Sequence, residues 1–206
     1  MAITASGLEV LGDPKLLNTK VILYGVAGSH AYGTNVANSD NDFKGIYLHP
    51  YDVRNGFLPS SDNVSIAEPD ASLYELRKFF GLAAKCNPNI LELLYLEDEK
   101  LLVNTREGTY LRSIRDQFLS KRAFYSYAGY AESQLQRLEG YRNNSVKRKD
   151  LREKFGYDTK FGMHLIRLLR MLNEIVETEE VVVARPDAAE LLEIRDGAWS
   201  LGFLTA

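Results

Sequence analysis

The stretch that most constrains this chain is Gly28-Ser-His-Ala-Tyr-Gly-Thr-Asn-Val-Ala-Asn-Ser-Asp-Asn-Asp42, set between two short apolar runs. Before it, Lys20–Gly25 (KVILYG) is apolar and β-branched and reads as a buried strand ending at a glycine. After it, Asp42–Leu48 (DFKGIYL) alternates as a second strand does. A Gly-Ser pair directly after a strand lets the backbone approach a phosphate and offers it N–H groups and a hydroxyl. Gly33 lets the short helix or turn between the strands end sharply. Asp40 and Asp42 stand two residues apart where the second strand begins, which sends both carboxylates to one side. Hard oxygen ligands facing a phosphate-binding turn suit Mg²⁺ bridging protein and triphosphate. Alone, Ser39-Asp-Asn-Asp42 reads as a solvated Asx-turn. Gly28-Ser29, eleven residues upstream of Asp40, turns the reading towards a site.

Further along, Asn63–Ala67 suits a third strand closed by Pro69. Ser72-Leu-Tyr-Glu75 has capping-box spacing and opens a helix with apolar positions Leu73, Leu76, Phe79/Phe80 and Ala83. Asn87-Pro88 stops that helix and starts another through Ile90, Leu93 and Leu94. From about Arg106 the texture is helical only. Phe124, Tyr127/Ala128, Ala131, Leu135 and Leu138 make one stripe, and Lys147–Lys154 is a charged connection or helix start. Asp158 or Thr159 caps a helix to about Glu177, buried through Leu165, Leu168/Leu169, Leu172 and Ile175. Val181–Val183 is extended, and Asp187–Arg195 forms a last short helix. The expected class is α+β: a mixed sheet with flanking helices over residues 1–103, followed by a helical region over 104–206.

The 206 residues suffice for one large or two small domains, and the 45% apolar and 26% charged fractions are those of a soluble globular protein. No apolar stretch approaches the roughly 18 residues that span a bilayer, and no signal peptide is evident. The lone Cys86 excludes an internal disulfide and suits a reducing, cytoplasmic setting. Three scattered histidines and one cysteine give no zinc spacing. The net charge of −3 is unevenly spread, since residues 106–170 hold 15 Lys and Arg against 7 Asp and Glu. A basic block beside an acidic one fits a protein that handles polyanions, although a solvated helix face gives the same count.

The ordered set G-S-x-x-x-G then S-D-x-D resembles the signature of the DNA polymerase β-type nucleotidyltransferases. Two more segments, Tyr74-Glu-Leu-Arg-Lys-Phe-Phe with Lys85-Cys-Asn-Pro-Asn-Ile-Leu-Glu-Leu-Leu94, and Lys154-Phe-Gly-Tyr-Asp-Thr-Lys with His164-Leu-Ile-Arg-Leu-Leu169, are similar to a bacterial and phage branch that includes RNA-ligase-associated members. The similarity runs from about residue 21 to about 197. It implies a small palm-like sheet and Mg²⁺-dependent transfer of a nucleoside monophosphate from a nucleoside triphosphate to a hydroxyl, with release of pyrophosphate and two metal ions. By resemblance Gly28 and Ser29 hold the phosphates and Asp40 and Asp42 the metals. A third carboxylate assists as base or ligand; Asp70 is the choice, with Glu68 and Glu75 as competitors.

In the helical part, Lys160, His164 and Arg167 share one helix face that could meet phosphate, and Tyr157 could stack on a base. Tyr125, Tyr127 and Tyr130 suit core and rim better than a base-reading platform. An RNA 3′ end is the favoured acceptor because of the basic block, with a protein hydroxyl as the rival. A nucleotide- or RNA-binding partner without catalysis, and a structural interaction module, are the competing classes.

Overall fold

The computed structural model describes residues 19–56, 61–138 and 149–204. The chain divides into two compact units, Met1–Leu119 and Ser120–Ala206. The first unit therefore runs past Arg106, where the sequence turns helical only.

The first unit is built on a five-stranded mixed sheet in the order β3-β4-β2-β1-β5. Its strands are β1 (Lys20–Val26), β2 (Phe43–Leu48), β3 (Asn63–Ile66), β4 (Ala71–Glu75) and β5 (Leu101–Asn104). β2 runs antiparallel to β1 but parallel to β4, and β3 and β5 add antiparallel edges. One face buries Val21, Tyr24, Tyr47, Val64, Ala71 and Leu73, with Phe43, Ile66 and Val103 against them. Burial holds the phenols of Tyr24 and Tyr47 protonated, each pushed up to about 12.

Helices α1 (Gly28–Tyr32), α2 (Tyr51–Asn55), α3 (Leu76–Ala83), α4 (Pro88–Leu91) and α5 (Arg106–Ser113) connect or cover the strands. α3 and α5 pack on the sheet itself. As expected, Asn87 caps α4 by accepting from the Asn89 N–H at 3.0 Å, with Pro88 in the first turn. The capping-box reading of Ser72–Glu75 is corrected. Residues 71–75 alternate buried and half-buried and pair in parallel with β2, so they form β4. The helix begins only at Leu76, capped by Glu75, whose carboxylate accepts from the Arg77 N–H at 2.6 Å.

The second unit is helical: α6 (Arg122–Leu138), α7 (Lys149–Phe155), α8 (Thr159–Thr178), α9 (Ala188–Arg195) and α10 (Leu201–Leu204). α6 packs on α8; Ala123, Tyr127, Ala131 and Leu138 are buried on α6, and Met163, Leu168 and Met171 on α8. Asp158 caps α8, accepting from the Lys160 N–H at 3.1 Å. Residues 181–183 are extended without a ladder, and Arg185 ties them down. Its buried guanidinium donates to both Glu174 oxygens at 2.5 and 2.7 Å and to Asp187 at 2.8 Å. Arg170 extends the cluster to Asp187 at 2.6 Å and Glu190 at 2.7 Å. No helix among the described residues is long and apolar enough to cross a membrane.

Candidate active site

The segment between β1 and β2 forms the site, and the reason is local. β1 ends at Val26, and α1 starts at Gly28, whose φ of +61° lies in the left-handed region that disfavours any side chain. The space a Cβ would occupy there is already taken: Asp42 Oδ2 lies 2.0 Å from that position. Glycine is thus required twice, and the result is a carboxylate laid directly over the start of the Gly-Ser turn. α1 lasts only to Tyr32 because Gly33 adopts φ +71° and closes it. The Ala27 N–H donates to the Asp42 carbonyl at 2.8 Å, locking the two strand ends together.

Asp70 enters through the sheet. The parallel register pairs Phe43 with Ala71, and the Phe43 N–H donates to the Asp70 carbonyl at 2.9 Å. Asp42 and Asp70 therefore stand side by side, each immediately before its strand. The competitors lie elsewhere: Glu75 is at the far end of β4, buried beside Tyr47 and engaged as a helix cap, and Glu68 is in the exposed turn before Pro69. Asp40 and Asp70 are exposed and Asp42 is half-buried. Among the described residues, no group of three His, Cys, Asp or Glu side chains converges as a ready-made metal cage. The donor chemistry of Asp40, Asp42 and Asp70, all hard oxygens, nevertheless fits Mg²⁺.

Sequence patterns missed the network beneath the turn. Glu92 is 1% exposed, and its two oxygens accept from Tyr32 Oη and from Lys44 Nζ. Lys44 also donates to the Asn89 carbonyl at 3.0 Å. Tyr32 closes α1, and Lys44 lies two residues beyond Asp42, so one buried carboxylate ties the Gly-Ser turn to the aspartate strand. The available signal was the charged Glu92 inside the apolar run Ile90–Leu94. In the turn itself Tyr32 is buried, and the half-buried His30 has its Nε2 3.4 Å from the Ser39 carbonyl.

In the second unit the expected cationic face on α8 is less open than its spacing suggests. Lys160 and His164 are half-buried, and Arg167 is 5% exposed, so this is not a solvated strip opposite the apolar stripe. Tyr157 cannot present a stacking surface, because it is 1% exposed and its hydroxyl donates to the Trp199 carbonyl at 2.6 Å.

A mixed sheet carrying a Gly-Ser turn, an Asp-x-Asp strand entry and an aspartate on the neighbouring parallel strand defines a nucleotidyltransferase fold of the DNA polymerase β type. A family model described as "RNA repair pathway DNA polymerase beta family" matches residues 12–196. The chain belongs to that family. A curated relative, "Uncharacterized 38.9 kDa protein in nrdC-mobD intergenic region" of Enterobacteria phage T4, is 32% identical over 130 residues, 56% of this chain. The match spans 38% of the phage protein. No solved structure matches the chain.

Proposed function

We propose that the protein transfers a nucleoside monophosphate from a nucleoside triphosphate to a hydroxyl, with an RNA 3′ end as acceptor. The observation that carries this reading is the Asp42 carboxylate seated over Gly28, with Asp70 at the head of the adjoining parallel strand. The triphosphate lies along the backbone N–H groups and hydroxyl of Gly28-Ser29, where a side chain would obstruct it. Asp40 and Asp42 would hold Mg²⁺, which when bound neutralises the phosphates and polarises the α-phosphoryl group. Asp70 accepts the proton of the attacking hydroxyl. The acceptor oxygen then bonds to the α-phosphorus as the bond to the bridging oxygen breaks, and pyrophosphate leaves. Lys160 and His164, with Arg167 behind them on the same helix, are the second unit's candidates for phosphate contact. RNA is favoured as acceptor by the family description and by the cationic excess of residues 106–170.

The test is incubation with each α-labelled triphosphate, Mg²⁺ and an RNA bearing either a 3′-hydroxyl or a 3′-deoxy end. Label is expected on the hydroxyl-ended RNA alone and only with intact Asp40 and Asp42. Incorporation that persists in the Asp40→Ala, Asp42→Ala double variant removes this site assignment. Tight triphosphate binding by calorimetry without pyrophosphate release supports a binding partner instead of an enzyme.

A further inference from the structure

α6 presents an outer face that its packing does not explain. Tyr125, expected to be core or rim, is 75% exposed, and Phe124, expected in the buried stripe, is 51% exposed. Their rings meet edge to face at 5.5 Å and 89°, which fixes the tyrosine plane against its neighbour. Arg122, the first residue of α6, precedes Tyr125 by three positions and shares its side of the helix, and Lys121 immediately precedes the helix. Both are exposed, and neither is paired with a carboxylate among the described residues. The acid on this face is Glu132, two turns further on, and it hydrogen-bonds to Gln136 at 3.3 Å.

The fifth member is Gly129, one turn beyond Tyr125. A glycine inside a helix costs about 0.5–1 kcal/mol relative to alanine, and close packing is the usual compensation. None operates here, because a Cβ at Gly129 would meet nothing within 4 Å. The glycine instead leaves helix backbone uncovered one turn beyond Tyr125.

We propose that Lys121, Arg122, Phe124, Tyr125 and Gly129 form a binding surface for single-stranded RNA, one base stacking on Tyr125, the uncovered backbone at Gly129 leaving room for its neighbour, and the flanking phosphates meeting Lys121 and Arg122. An aromatic platform next to two unpaired cations is the chemistry that holds unpaired nucleotides without reading their sequence. The assignment to RNA rests on the acceptor reading above, and the surface adds where that acceptor is held.

The experiment is fluorescence anisotropy of the full chain with labelled oligoadenylate and oligouridylate of about 12 nucleotides, the matching DNA, and duplex RNA. Single-stranded RNA is expected to bind tightest. Tyr125→Ala should weaken it about tenfold or more, and Tyr125→Phe should stay within about twofold. Lys121→Ala with Arg122→Ala should lower the slope of log affinity against log salt by about two. Gly129→Leu is the sharpest variant: it should raise the midpoint of thermal unfolding while weakening RNA, a combination that a purely structural role does not give. Tyr125→Ala binding RNA like the wild type, DNA or duplex binding more tightly than single-stranded RNA, or no oligonucleotide binding at all would each overturn the surface. Incorporation of label with Tyr125→Ala binding unchanged leaves the transfer reading standing and removes only the surface. RNA binding with these losses but no incorporation does the reverse.

Discussion

Gly28 couples backbone conformation to the chemistry of the candidate site. Its positive φ disfavours an L side chain by about 1–2 kcal/mol, and a methyl group there collides with the Asp42 carboxylate. Gly28→Ala is therefore expected to lower stability by that modest amount, measured by chemical denaturation, yet to cut nucleotide incorporation by about 100-fold, because small misplacements of reacting groups are costly. Comparable losses in stability and activity would contradict the account. Glu75 gives the complementary case. Removing the α3 cap with Glu75→Ala should cost about 1 kcal/mol of stability and leave incorporation per folded molecule unchanged. At this scale the sequence was informative where a residue type has one use, as with Gly28 and Gly33, which take positive φ. It was silent where the use depends on a distant partner, as with Glu92.

Between elements, the buried Glu92 carboxylate joins α1 to β2 through Tyr32 and Lys44. Glu92→Gln keeps the shape but leaves the Lys44 charge, whose side chain is 18% exposed, without its counter-charge. Breaking such a pair is expected to cost about 3 kcal/mol, and Lys44→Met in the same chain should recover part of it in a double-mutant cycle. Additive losses would show that the two residues do not act as a pair. The fold was legible in proportion to how local its causes are. β1, β2 and β3, the Asn87-Pro88 start of α4 and the Asp158 cap of α8 follow from short patterns. β4 was not legible, because Ser72-Leu-Tyr-Glu75 satisfies a capping template while its strand character comes from pairing with β2, nearly thirty residues earlier. The same long-range pairing places Asp70 beside Asp42 and Glu75 at the other end of the strand, a placement that no local pattern carries.

Across the whole chain, charge bears on stability and on the proposed partners. In the helical unit, burial works against ionised Asp187, but hydrogen bonds from Arg185 and Arg170 outweigh it and hold the carboxyl below its usual range. The hydrogen bond from Arg170 lowers Glu190 likewise. A depressed carboxylate adds stability above its unfolded pKa, and that stability is lost as pH falls through the folded value. Acid titration followed by circular dichroism should therefore show the helical unit weakening below about pH 4, with a shallower dependence in Asp187→Asn. An unchanged profile in that variant would mean the cluster contributes nothing to acid stability. The excess of basic residues over 106–170 belongs to the same scale: under the proposed function it draws polyanions, while selection of the reacting groups is left to the aspartates. That division is tested most directly by single-turnover incorporation of an α-labelled nucleoside monophosphate into 3′-hydroxyl RNA, comparing Asp42→Asn, Asp70→Asn and Glu75→Gln. Loss of transfer is predicted for both aspartate variants, with Glu75→Gln close to the wild type; transfer at the wild-type rate by Asp42→Asn would contradict the account.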